Sequence, residues 1–247
     1  MKGTLFEIGR YFGFIKNLFY KPEKLSIYVR QVFREMVNLG IGSLWLVALT
    51  SAFMGAVITI QSAYNLVNPM VPLWAVGIVA RDSIIIEFSP TIIMLVLAGK
   101  VGSSLASEIG GMRQKEHIDA MEIMGVNTAA FLVQPKILAA LTIIPMLVCI
   151  GAFISICGGY IASVPFGRFS HEEYEQGLRS FFIPYNITMM FVKALTFSFI
   201  LTTVSCYQGY FVKGGSIELG HASTQAVVYS NILILLSDYV IAMLMTA

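Results

Sequence analysis

From Met36 to Ala80 no charged residue interrupts the chain. At about 1.5 Å per helical residue this run is too long for one crossing of a hydrocarbon core about 30 Å thick. The run breaks at Asn65 to Pro72, NLVNPMVP, where two prolines and two asparagines stand together. The pattern predicts a first membrane span over 39–64 and a second over 73–107, the second punctuated by Arg81, Asp82, Glu87, Pro90 and Lys100. A third span is expected over 137–164, uncharged, with Pro145 as a kink; a fourth over 185–207, containing Lys193; and a fifth over 222–245, containing Asp238. The expected fold class is therefore all-α and integral to a membrane.

Residues 1–36 follow another pattern. Leu5, Ile8, Phe12, Ile15 and Phe19 recur at spacings of three and four, while Glu7, Arg10, Asn17 and Lys21 fall opposite them and Phe14 stands outside the pattern. This predicts an amphipathic helix lying in the membrane interface, and Glu7, Arg10 and Lys16 interrupt the apolar stretch that a signal peptide needs. Lys2, Arg10, Lys16, Lys21, Lys24, Arg30 and Arg34 precede the first span. Lys100, Arg113, Lys115 and Lys136 flank the connection between spans two and three. The 165–184 connection has only Arg168 and Arg179 against Glu172, Glu173 and Glu175. Retention of positive charge on the cytoplasmic side puts the N-terminus in the cytoplasm and the C-terminus outside.

Composition agrees and removes several function classes. Of 247 residues, 57% are hydrophobic and 12% charged, and a net charge of +2 gives no basis for a nucleic-acid partner. Cys149, Cys157 and Cys206 sit in apolar stretches without metal-binding spacing. A phosphate-binding loop is missing, since Gly99-Lys100-Val101 lacks the hydroxyl that would reach a magnesium ion. His171-Glu172-Glu173-Tyr174-Glu175 lacks the second histidine of a zinc protease and is expected to be an acidic loop. With no internal repeat, the chain reads as a single membrane domain, 1–247, with no catalytic residues, metal or cofactor.

Charge inside a span is costly and faces a cavity or a partner. Glu87 lies about fourteen residues below the external end of its span, Lys193 about eight and Asp238 about seven, so all three are expected to meet in the outer half. Two readings stay open: a salt-bridge set that fixes packing, or a polar lining for a lipid head group. Arg81 and Asp82, nearer the outer surface, are expected to pair with each other or with the interface. Phe53, Met54, Val57 and Ile60 in span one, with Leu233, Leu236 and Val240 in span five, are candidates for lining acyl chains. Gly151, Ser155, Gly159 and Ser163 form a small-residue stripe that admits a close helix, from the same chain or from a twofold mate.

The segment ASEIGGMRQKEHIDAMEIMGV, 106–126, concentrates charge between spans two and three. A helix from Lys115 to Met124 would gather Lys115, Asp119 and Glu122 on one side, with Ile118, Ala120, Met121 and Met124 on the other and His117 packed on the apolar arc. Gly110-Gly111 suit a sharp entry and Gly125 a C-terminal cap; Glu108 would cap the helix start.

The run Glu108-Ile-Gly, Met112-Arg113, Glu116-x-Ile118-Asp119-Ala120-Met121, Met124-Gly125-Val126 and Leu132-Val133-x-Pro135 resembles the MlaE-like permeases, membrane subunits of bacterial lipid ABC transporters. So do Ala98-Gly99-Lys100-x-Gly102-Ser103, where arginine is common at the third place, Gly158-Gly159 and Ser237-Asp238-Tyr239. The resemblance covers about Val47 to the C-terminus. The chain departs from it at Asn127 to Ala130, which lack a frequent proline, and at Ile86, where an arginine often precedes the glutamate. The resemblance implies an inner-membrane homodimer of five-span subunits, each preceded by the interfacial helix. Each subunit would touch one cytoplasmic ATPase through the coupling loop 108–135, with Glu108, Arg113, Lys115, Glu116, Asp119, Met121 and Met124 in contact. It also implies periplasmic MCE-domain lipid-binding proteins and a small STAS-type accessory protein as partners. The cargo would be phospholipid or a related lipid, moved between the inner membrane and the outer envelope. The alternative from the charges alone is an ion-coupled carrier using Glu87, Lys193 and Asp238.

Overall fold

The computed structural model describes residues 2–18, 25–66, 72–166 and 170–246; the centre of the expected break at 67–71, together with Phe19, Lys21, Lys24 and Arg168, lies outside the described residues. Helix α1 is Lys2–Leu18 and α2 is Leu25–Asn65. Helix α3 is the continuous helical run Ala75–Gln114, α4 the short helix His117–Ile123, and α5 is Thr128–Phe166. Helices α6, His171–Arg179, α7, Tyr185–Tyr210, and α8, Ser216–Thr246, complete the chain. No strand occurs among the described residues. Five of the helices, α2, α3, α5, α7 and α8, are long and apolar enough to cross a membrane, as the uncharged runs predict.

The helices outrun the spans. Residues 25–36 belong to α2, α3 continues to Gln114, and α5 begins at Thr128, so the 108–135 loop shrinks to the short segment around α4. Hydropathy marks where a helix crosses hydrocarbon, whereas the backbone ladder continues for as long as neighbours cover it; a forty-residue helix is about 60 Å long, twice a membrane core. Gly110-Gly111 consequently sit inside α3 and not at a sharp entry, and a Cβ on Gly110 would overlap Leu219 of α8 and meet the Gly209 carbonyl of α7 and Val212 just beyond it. Two stretches of α3 are π-helical, Ile84–Ile92 and Ala98–Gly102. Pro90 lies in the first, where a missing N–H and a ring that crowds the preceding turn favour a wider ladder. Helix α5 runs through Pro135 and Pro145 without interruption.

The small-residue stripe faces the chain's own α2. Ser155 Oγ donates to the Ser51 carbonyl at 2.9 Å, and a Cβ on Gly151 would overlap Ile93 of α3 and stand 2.9 Å from Ser51 Oγ and 3.3 Å from Val47 of α2. A Cβ on Gly158 would overlap the Ala52 carbonyl oxygen, and one on Gly55 would overlap that of Ser155, so the two backbones touch with no side chain between them. Gly159 lies against Thr59 and the Tyr174 hydroxyl, and Ser163 bonds His171 Nδ1 at 2.8 Å.

The HEEYE stretch of the 165–184 connection is a helix and not an acidic loop. Ser170 and Glu173 form a reciprocal capping box, which the spacing S-x-x-E encodes, and Tyr174 is fully buried beneath it. Ser170→Ala should loosen α6 by about 1 kcal/mol, read as faster amide exchange over residues 171–179 with exchange in α7 unchanged.

Helix α1 docks on α7 through the residue that its periodicity left out. Phe14 is buried with its ring against Tyr207, Tyr210 and Phe211, while Phe6 and Phe12 stay exposed. Arg10 donates to the Tyr207 hydroxyl at 2.9 Å, pairs with Glu7 at 2.7 Å and covers the Phe211 ring at 4.5 Å. The side chains of Leu5 and Ile8 lie outside the described ones.

Candidate functional site

The three intramembrane charges meet. Lys193 Nζ, on α7, is fully buried and lies 2.6 Å from Glu87 Oε1 on α3 and 2.7 Å from Asp238 Oδ1 on α8. The Glu87 contact is a hydrogen-bonded ion pair. The Asp238 contact is equally close but off the hydrogen-bonding direction, and leaves that oxygen without an aligned donor. Thr91, one turn beyond Glu87 in the π-helical stretch, donates to the other Asp238 oxygen at 3.2 Å. Two carboxylates against one ammonium give the cluster one formal excess negative charge. It is open on one side only: the Glu87 side chain is 44% exposed, that of Asp238 15% and that of Lys193 0%. A group approaching the cluster from outside the subunit therefore meets Glu87 first.

Arg81 pairs with Asp82 at 2.9 Å, as expected, and does more. Buried itself, it donates to the carbonyls of Leu178, Ser180 and Phe181, holding the end of α6 and the left-handed Phe181 against α3. Gly77 and Gly177 let the two helices touch at this point. Asp82 in turn accepts from Asn186 at 3.4 Å, two helical turns before Lys193 on α7. The Arg81 contacts thus tie α6 to α3 and α7, two of the three helices that carry the triad.

The apolar candidates are open and lie on separate helices. Phe53 and Val57 are exposed on α2, with Met54 and Ile60 half-buried; Leu233, Leu236 and Val240 are exposed on α8. Helix α2 packs chiefly on α5, and α8 on α7 and α3, so one subunit does not gather the two sets.

At the opposite end of the bundle, the predicted coupling residues divide. Glu108 is not a cap: it lies mid-helix and pairs at 2.7 Å with Lys136, which also binds Glu35 at 2.7 Å. Lys136 is buried, and its two carboxylates tie α2, α3 and α5 together. Arg113 Nη1 lies 2.8 Å from Asp119 and 3.7 Å from Glu122; Glu122 also accepts from Tyr210 at 2.9 Å, binding α4 to the end of α7. The charged side of α4 therefore faces its own chain, with Ile118 buried and Met121 half-buried beneath it. Lys115, Glu116, His117, Ile123 and Met124 are exposed, so His117 is not packed on an apolar arc. Helix α4 begins at His117 and not at Lys115, because Glu116 adopts a left-handed conformation, φ 58°. Gly125, φ 80°, ends it as expected, its N–H bonding the Glu122 carbonyl while Val126 N–H bonds that of Met121.

Glu35, Lys136 and Thr91 escaped the sequence reading. Lys136 carried a usable signal: it stands one residue outside the expected edge of span three, and the pairing argument applied to Lys193 extends to it. Glu35 and Thr91 have no local signal, since each is defined by a partner distant in the sequence.

The family described as Permease MlaE matches residues 32–244, from α2 through α8 and excluding α1. A probable ABC transporter permease protein of Rickettsia bellii is 36% identical over 215 residues, 87% of this chain and 83% of its own length. The intermembrane phospholipid transport system permease protein MlaE of Haemophilus influenzae is 27% identical over 213 residues, covering 86% and 81%. The chloroplastic protein TRIGALACTOSYLDIACYLGLYCEROL 1 of Arabidopsis thaliana is 26% identical over 219 residues, covering 89% of this chain and 62% of the plant protein. Five membrane-crossing helices, charges joined inside them and a family match across nearly all of the helical bundle lead to one conclusion: this chain belongs to the MlaE permease family.

Proposed function

We propose that the chain is the membrane subunit of an ATP-driven transporter that moves phospholipid or a related lipid between the inner membrane and the outer envelope. The observation that carries this reading is the Glu87–Lys193–Asp238 cluster, opening through Glu87 onto the apolar surface of the bundle. A phosphate entering there replaces the Glu87 carboxylate on Lys193, and the released Glu87 accepts from head-group donors, while Asp238 stays beside Lys193. Two subunits related by a twofold axis bring Phe53 and Val57 of one into register with Leu233, Leu236 and Val240 of the other around the acyl chains. MCE-domain proteins receive or deliver lipid at the external face, and a STAS-type protein joins the cytoplasmic assembly. Helix α1 lies in the inner interface with Phe6 and Phe12 in the lipid, the N-terminus being cytoplasmic. The similarity to an ABC transporter permease supports this reading over an ion-coupled carrier.

In this reading the ATPase docks on the outward side of α4. Ile123 is 88% exposed and Met124 71%, on a helix whose charged side is occupied by its own chain. Ile123→Asp or Met124→Asp should cut ATPase co-purification by more than about tenfold, since burying one unpaired carboxylate in an apolar contact costs more than the roughly 1.4 kcal/mol of a tenfold loss, with the membrane dimer intact. Unchanged co-purification counts against α4 as the docking element. The function itself is tested in proteoliposomes holding the permease, its ATPase and fluorescent phospholipid. Lipid transfer and ATP hydrolysis should both require the ATPase, and hydrolysis by the permease alone refutes the assignment.

A further inference from the structure

Arg81, Asp82, Glu87, Lys193 and Asp238 are all ion-paired within the spans. Lys100 lies on the same helix as Glu87, is exposed, and has no ion-pair partner among the described residues. It sits in the second π-helical stretch of α3, 98–102. On an unbroken α-helix the step from Glu87 to Lys100 would turn its side chain about 140° away from Glu87. The wider turns of the two π-helical stretches bring it back toward the side of Glu87. Burial shows the same alignment: Glu87, Ile92, Val96, Lys100 and Ser104 form one open stripe along α3, while Ile93, Met94, Leu97, Ala98, Val101 and Leu105 are buried behind it. The stripe joins the triad to an unpaired ammonium about 20 Å nearer the other end of the span.

The surroundings of Lys100 leave room for a ligand. Gly99 beside it has no neighbour within 4 Å of where a Cβ would stand, and a Cβ on Gly42 of α2 would lie 3.8 Å from Nζ, so the facing position on α2 places no side chain between that helix and the ammonium. The Ser103 hydroxyl bonds back to the Gly99 carbonyl at 2.6 Å and does not compete for the charge. An unpaired cation at the end of an apolar stripe attracts an anion that arrives with apolar tails, and a phosphodiester carried by two acyl chains has that chemistry.

We propose that Lys100 is a second, inner station for a lipid phosphate, joined to the Lys193 site by the open stripe of α3. This rests on the lipid-transport reading, and the experiment separates the two. The permease–ATPase complex is placed in nanodiscs containing 32P-labelled phosphatidylglycerol, with a photoreactive residue at Ser104 in one sample and at Leu236, two residues before Asp238 on α8, in another. Labelling from Ser104 should fall about tenfold in Lys100→Gln, recover in Lys100→Arg, which keeps the charge, and persist in excess inorganic phosphate. Labelling from Leu236 should survive Lys100→Gln. Equal Ser104 labelling in wild type and Lys100→Gln overturns the proposal, because contact with bulk lipid or a lysine reaching to the membrane surface gives that result. Loss that arginine does not restore, or loss to inorganic phosphate, also overturns it. Absence of labelling from Leu236 in the wild-type complex places the failure with the lipid-transport reading itself.

Discussion

Gly158→Val is expected to deplete the folded protein from the membrane. At this point α2 and α5 touch backbone to backbone: a Cβ on Gly158 overlaps the Ala52 carbonyl oxygen and lies 3.0 Å from its carbonyl carbon and 3.1 Å from its Cα. Side-chain rearrangement cannot relieve a clash with main chain, so the helices must separate. That breaks the Ser155–Ser51 bond and exposes the contacts at Gly151 and Gly159 along the same seam. Helices in lipid associate through such close packing, because the surrounding acyl chains are as apolar as the side chains. The loss should be at least about 3 kcal/mol, the upper part of the range for overpacked cores. Gly111→Ala is the control, since a Cβ there meets nothing within 4 Å and alanine favours the helix. Thermal stability in detergent, followed by size exclusion, should fall sharply for Gly158→Val and hold or rise for Gly111→Ala; equal melting of the two proteins contradicts the seam.

The seam also shows where sequence reading succeeds and where it stops. Gly151, Ser155 and Gly159 announce a close helix, because nothing else explains small residues one turn apart in a lipid-spanning segment, yet only the fold identifies α2 as the neighbour. Glu87, Lys193 and Asp238 were legible for an energetic reason, since charges isolated in separate apolar runs must find each other. The same reasoning, confined to the assumed spans, missed Lys136 between Glu35 and Glu108 by one residue. Other features had no usable pattern. The left-handed Glu116 that shortens α4 carries neither glycine nor asparagine, and Phe14 broke the periodicity of α1 because its partners lie on α7. The π-helical turns of α3 follow from one proline and from packing, and they decide which side chains share a face.

Replacing Lys193 separates the two meanings of the triad, packing and transport. Lys193→Ala leaves Asp238 85% buried beside Glu87 with no cation between them. Removing one partner of a buried ion pair costs about 3–5 kcal/mol. Most of that loss falls on Asp238, the more buried of the two carboxylates. A transport defect in this variant alone is therefore ambiguous, since a destabilised protein also transports poorly. The decisive protein is the triple variant Glu87→Gln, Lys193→Met, Asp238→Asn, which keeps the volumes and removes every charge. Neutral replacements of buried ion pairs are commonly as stable as the original, so the triple variant should melt within about 1 kcal/mol of the wild type. Glu87→Gln alone should also remain folded, because Lys193 keeps Asp238 at 2.7 Å. If the cluster takes a lipid phosphate, the triple variant should still bind its ATPase and lose lipid transfer by about a hundredfold, since the ammonium that holds the head group is gone. Wild-type transfer rates from a stable triple variant would make the charges a packing device and leave the lipid to bind elsewhere along the apolar faces of α2 and α8.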